Sequence, residues 1–194
     1  MSKHKPNKRI TTRDLALIAL SISMLVICSY ISLPTIAGHI TLQLFAVLLI
    51  AASFDLEKSF ISVGMYLLLG LLGLPLFAGF RGGPVVLFDV SGGYLFGFLL
   101  ISLLIPLARK LFGNSILCTL ISSVLSLLMT YAIATLWFMV VTNAELTVES
   151  FGFSMILCVL PYVAFDAVKL ALALCCAPRF RKFIAFSDKY EVMS

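Results

Sequence analysis

Charge is scarce in this chain. Only 12% of its 194 residues are Lys, Arg, Asp or Glu, and 61% are hydrophobic. A soluble domain carries about a quarter charged and about half apolar residues, so the composition excludes a water-soluble globule and points to a membrane protein. Histidine is almost missing, with only His4 and His39 present. No Ser-His-Asp or Cys-His nucleophile set is therefore available, and no His/Cys/Asp/Glu cluster has metal-ligand spacing. There is no Walker-type phosphate loop, so the chain does not itself hydrolyse ATP. The five cysteines, Cys28, Cys118, Cys158, Cys175 and Cys176, all lie in apolar segments with no extracellular pairing framework. They read as packing residues. An enzyme lacks its parts here, and no metal or other cofactor is expected.

What is present is a series of six apolar segments, at about Leu15–Ile36, Ile40–Phe54, Ser59–Leu76, Val90–Leu107, Ile116–Val141 and Phe153–Ala177. In lipid the backbone must satisfy its own hydrogen bonds, which makes each segment a helix. The first is long enough to cross a hydrocarbon core of roughly 30 Å and reads as a transmembrane helix rather than a secretory signal. The second is short, and is expected to be tilted, re-entrant or extended by its polar flanks. The expected fold is an all-α integral membrane protein, a six-transmembrane-helix bundle. Residues 1–13 form a basic N-terminal segment, 14–178 the membrane domain, and 179–194 a basic C-terminal tail.

Lysine and arginine set the orientation. Lys3, Lys5, Lys8, Arg9 and Arg13 precede the first span, and Lys58 lies between the second and third. Arg109 and Lys110 lie between the fourth and fifth, and Arg179, Arg181, Lys182 and Lys189 follow the sixth. All fall on one side, with Arg81 opposite, so the positive-inside rule places both termini in the cytoplasm. The net charge of +5 is thus a topology signal, and no nucleic-acid partner is expected.

Against this apolar background Asp166 and Lys169 stand out. A charge at mid-membrane costs roughly 2.5–3.5 kcal/mol on insertion scales, so such residues face a cavity and find partners. Their i, i+3 spacing puts them on one helical face, and Tyr162 adds a hydroxyl there. They either lock two helices or meet a polar ligand. Gln43, the only Gln, either bonds across helices or reaches the same ligand. The connection Leu74–Tyr94 holds five glycines and two prolines and reads as an ordered loop able to approach a ligand closely. Its Gly92-Gly93 pair opens a helix, where free amides favour an anion, or else permits tight packing. On the first span Ala16, Ala19 and Ser23 form a small-residue stripe for packing within the chain or against another subunit. His39 is expected at the exposed outer surface with no chemistry assigned.

Several of these segments together resemble the BioY family, the biotin-binding S components of energy-coupling factor transporters. They are Ile40-Thr-Leu-Gln43, Gly70-Leu-Leu-Gly-Leu-Pro-Leu-Phe77, Arg81-Gly-Gly-Pro84, Gly92-Gly-Tyr-Leu-Phe-Gly-Phe98 and Leu160-Pro-Tyr-Val-Ala-Phe-Asp-Ala-Val-Lys169. The resemblance covers residues from about 14 to 178. It implies a multi-pass protein of a bacterial cytoplasmic membrane whose outward cavity lies under the loops joining spans one to two and three to four. Biotin would be held by Asp166 and Lys169 at its ureido group, with Tyr94 over the ring and Tyr162 and Gln43 beside it. Backbone amides around Gly82-Gly83 or around Gly92-Gly93 would receive its carboxylate. The implied partners are a transmembrane T component, docked on Ala16, Ala19 and Ser23, and two ATPase subunits. An S component for thiamine or riboflavin is the alternative, and an intramembrane enzyme using Asp166 and Lys169 is a more distant one. The chain departs from the family at Asp89-Val90-Ser91, where Gly-Pro-Thr is common. Ser91 still offers the hydroxyl that the threonine would.

Overall fold

The computed structural model describes residues 11–35, 38–145 and 147–191. Among these residues there are seven helices, a two-stranded hairpin and two short 3-10 turns. Helix α1 (Thr12–Tyr30) starts at a capping box: the Thr11 hydroxyl accepts from the Asp14 amide, and the Asp14 carboxylate accepts from the Thr11 amide. These bonds satisfy donors that a helix start leaves free. The chain then leaves the helix for strand β1 (Ser32–Thr35) and its antiparallel partner β2 (Gly38–Thr41), with Leu33 opposite Ile40. The apolar run had implied helix as far as Ile36. Pro34 explains the difference, since it donates no amide hydrogen and pushes Leu33 towards an extended conformation.

Helix α2 (Gln43–Ser53) has 11 residues, of which all but Phe45 are buried. At 1.5 Å per residue it is only about 16 Å long, too short to cross a bilayer alone. It is a core helix, packed on α1, α3 (Leu56–Leu71), α4 (Gly92–Phe112) and α7 (Leu160–Glu191). Its last carbonyls are taken from outside. Arg109 of α4 donates to the carbonyls of Ala51 and Phe54 at 3.2 and 2.9 Å, and Arg181 of α7 to that of Ala52 at 2.7 Å. Two guanidinium groups thus do the work of a C-cap. Arg13 donates to the Ile184 carbonyl and Lys58 pairs with Asp14. These contacts gather the basic residues at the end of the bundle opposite the hairpin.

Helix α5 (Ile116–Val141) coincides with the expected fifth segment. The sixth does not stay whole. It divides into α6 (Val148–Cys158) and α7, with Val159 between them. Pro161 accounts for the break, since it cannot donate to the Leu157 carbonyl and its ring crowds that position. Helix α7 continues past Pro178 into the basic tail. Among the described residues four helical stretches are long and apolar enough to cross a membrane: α1, α4, α5 and Leu160–Ile184 of α7. The protein is therefore a multi-pass, mostly helical membrane protein, and its described residues form seven helices where six apolar segments were expected. Most of the basic segment expected at 1–13 lies outside the described residues.

The loop between α3 and α4 is held by hydroxyl groups of α1 and α3. The Leu76 carbonyl accepts from Ser29 at 2.6 Å and from Tyr66 at 2.9 Å, and the Pro75 carbonyl accepts from Tyr30 at 2.7 Å. Gly70 lets Phe77 fold beneath the loop, because a Cβ at that position would lie 2.3 Å from the ring.

Candidate functional site

One cavity opens at the hairpin end of the bundle, and its polar groups sit at two depths. At the deeper level the break between α6 and α7 sets the stage. The Tyr162 amide bonds to the Val159 carbonyl, not to that of Cys158, so the Cys158 carbonyl accepts instead from the Tyr94 hydroxyl of α4 at 2.7 Å. This bond fixes Tyr94 beside Tyr162, with ring centroids 5.9 Å apart. One turn further along α7, Asp166 and Lys169 pair at 2.7 Å. They are only 2% and 6% exposed.

Tyr131 of α5 completes the group, donating to the second Asp166 oxygen at 2.7 Å. Both carboxylate oxygens therefore have donors, as a buried charge requires. The Lys169 ammonium has three N–H bonds and gives one to Asp166, which leaves two to donate. Gln43 stands at the start of α2. Its amide nitrogen donates to the Tyr66 hydroxyl at 2.9 Å, and its amide oxygen remains as an acceptor at the cavity wall. The two readings of Gln43, a bond across helices and a place at the site, both hold geometrically.

Apolar walls separate these groups from the mouth: Leu44, Phe77, Val86, Leu95 and Phe98. At the mouth lie Thr41, Ser91, His39 and Arg81. Arg81 donates to the Ala78 carbonyl at 3.2 Å and forms an ion pair with Asp89. Burial and the neighbouring Arg81 charge hold His39 below its ordinary pKa, against a smaller opposing pull from Asp89, so the imidazole is neutral at pH 7. Far from standing exposed at the surface, His39 is half-buried and lines the cavity, with its Nδ1 buried and without a hydrogen-bond partner among the described residues.

The structure thus brings Asp166, Lys169, Tyr94, Tyr162 and Gln43 to one cavity, and it leaves three expected residues outside. Gly82 lies against the Leu74 carbonyl, which a Cβ would approach to 2.2 Å, and Gly92 against the Leu87 carbonyl at 2.0 Å. The Gly83 amide donates to the Gly70 carbonyl and the Gly92 amide to that of Asp89. These glycines close the loop and its junction with α4, and the Gly83 and Gly92 amides are not free for an anion. The stripe Ala16, Ala19 and Ser23 is exposed on α1, and among the described residues nothing covers it.

Tyr131 and Arg81 were missed by sequence reasoning. The sequence held only a partial signal for the first: Thr135 stands one turn beyond Tyr131 on the same face of α5, and both are buried.

The bundle and its cavity define a class: a polytopic membrane protein with a buried ion pair at a cavity beneath ordered loops. A sequence model of the BioY family matches residues 2–186. The chain belongs to the BioY family. It is 35% identical over 160 residues to the biotin transporter BioY of Thermotoga maritima, covering 82% of this chain and 90% of that protein. It is 28% identical over 178 residues to the biotin transporter BioY2 of Lactococcus lactis, covering 91% and 94%. A crystal structure described as the S-component for biotin from an ECF-type ABC transporter aligns with a TM-score of 0.78 at 23% identity, over 92% of this chain and 95% of that one. That structure shares the fold.

Proposed function

We propose that this chain takes up biotin across a bacterial cytoplasmic membrane, binding it in the cavity between α2, α4, α5 and α7. The observation that carries the reading is the buried Asp166–Lys169–Tyr131 group beside two tyrosine rings in a chain of the BioY family. Biotin's ureido group offers two N–H donors and one strongly polar carbonyl. Asp166 accepts from the N–H groups, Lys169 donates to the carbonyl, and Tyr94 and Tyr162 cover the apolar bicycle. The chain is a transport protein and not an enzyme. Its relatives from Thermotoga maritima and Lactococcus lactis are named as biotin transporters.

In this reading the α2 helix with its hairpin, α3, and the broken α6–α7 segment complete six crossings of the membrane. The basic end, with Arg13, Lys58, Arg109 and Arg181, faces the cytoplasm, as do both termini. Residues 14–178 form the membrane domain between a basic N-terminal segment at 1–13 and a basic tail at 179–194. Energy comes from a separate module of one T component and two ATPase subunits. The exposed Ala16–Ala19–Ser23 stripe is the docking face, since small residues let a foreign helix approach closely.

Equilibrium binding to the purified chain in detergent tests the substrate. Biotin is expected to bind saturably at about one per chain, with thiamine and riboflavin as non-binding controls. Binding of thiamine or riboflavin instead would assign the site to another vitamin. Within the site, Tyr131→Phe is expected to weaken biotin binding about tenfold while the chain stays folded, because one bond to a charged group is worth about 1.5 kcal/mol at the low end. Unchanged affinity would remove Tyr131 from the site. Ala19→Leu is expected to lower cellular uptake severalfold and leave binding intact. Normal uptake would move the docking face elsewhere.

A further inference from the structure

The departure at Asp89 acquires a role once its partner is known. Arg81 is a mouth residue of the cavity, and Asp89 lines the adjoining groove with Arg81, Gly82 and Phe88. A ligand with a carboxylate tail needs a cation at that mouth. Lys169 lies deeper, with its charge paired to Asp166 and its free N–H bonds facing the ureido end of the ligand, His39 is held neutral, and the Gly83 and Gly92 amides are engaged within the loop. Among the described lining residues, Arg81 is the cation that remains. Its guanidinium has five N–H bonds in a fork suited to carboxylates. Nε goes to the Ala78 carbonyl and Nη1 to Asp89, and among the described residues no group takes Nη2.

The pair is open to exchange. The Arg81 and Asp89 side chains are 35% and 34% exposed, and ion pairs this accessible to water hold weakly. Asp89 also keeps an anchor without Arg81, since its other oxygen accepts from the Val90 amide at 2.8 Å. The Asp89 carbonyl is held by the Gly92 amide and the Trp137 indole, at 2.9 and 3.3 Å, so the backbone stays in place while the guanidinium changes partner. We propose that Asp89 is a built-in competitor for the ligand's carboxylate at Arg81, and that this exchange sets how strongly the site prefers the free acid over neutral derivatives. The inference rests on the biotin reading above.

The test is titration of biotin and of its uncharged amide into the wild-type chain, Asp89→Asn, Arg81→Gln and Arg81→Lys in detergent. Asp89→Asn keeps an oxygen for the Val90 amide and removes the competing charge. It is expected to tighten biotin binding threefold to tenfold and to move the amide less than twofold. Arg81→Gln is expected to weaken biotin at least tenfold and the amide far less, which erases the preference for the acid. Arg81→Lys keeps the charge and retains part of that preference, as a check that the Gln variant has not simply lost its loop. Weaker biotin binding in Asp89→Asn, or an equal loss of both ligands in Arg81→Gln, would overturn the inference while leaving the biotin reading intact. A wild-type chain that binds neither ligand would overturn both.

Discussion

Asp166→Asn and Lys169→Met are each expected to weaken biotin binding about a hundredfold, the loss of about 3 kcal/mol that a charge-assisted contact supplies at the upper end. Each single variant also strands the other charge. Both side chains are almost fully buried, and removing one member of such a pair costs about 3–5 kcal/mol of stability. Lower melting temperatures and lower affinity will therefore appear together. Affinity measured on the single variants does not separate a binding role from a merely structural one.

The double variant separates them. Asp166→Asn with Lys169→Met leaves neither charge stranded, and replacing a buried ion pair by neutral groups is often close to neutral for stability. The melting temperature is expected to recover most of the way to wild type, while biotin binding stays at the level of the weaker single variant. The two measurements form a double-mutant cycle with strong coupling in stability and little rescue in binding. Recovery of binding along with stability would make the pair a helix lock and place the ligand elsewhere. Wild-type affinity in both single variants, at normal expression, would also remove the pair from the site.

Asp166 and Lys169 were legible in the sequence because charge is costly in an apolar segment and so needs a reason. Tyr131 was not, since a tyrosine among leucines reads as packing until its partner is known. The glycine-rich loop reads as ordered, and in the fold the Gly83 and Gly92 amides go to the chain's own carbonyls. Sequence alone shows that a backbone must come close to something, and not to what. Helix α5 was legible at both ends because it has polar termini and no proline. The departures at the hairpin and at the break between α6 and α7 trace to Pro34 and Pro161. Membrane helices tolerate proline when neighbours satisfy the freed groups, so its presence in an apolar run does not decide between a straight helix and a break. At Cys158 the neighbour is Tyr94, a contact across 64 positions of sequence. The Arg81–Asp89 pair was hidden for a related reason: two charges eight apart in an irregular loop have no period that brings them together.

Gly93→Ala is expected to destabilise the chain by about 1–3 kcal/mol, the usual range for overpacking a tight contact. An added Cβ there would lie 2.7 Å from the Ala134 Cα and 2.7 Å from the Trp137 Cβ on α5. The first of these is backbone and has no rotamer by which to yield, so α4 and α5 must separate. That separation reaches the site, because the next residue is Tyr94, whose hydroxyl holds the carbonyl at the break between α6 and α7. A lower melting temperature should thus come with weaker biotin binding. Gly152→Ala is the control: Gly152 lies inside α6 with nothing within 4 Å of an added Cβ. There the substitution only removes backbone freedom in a helix, and should stabilise by up to about 1 kcal/mol. Thermal unfolding of both variants in one detergent decides the matter. If Gly93→Ala melts at or above wild type, the α4–α5 contact has slack, and the position of Tyr94 does not depend on it.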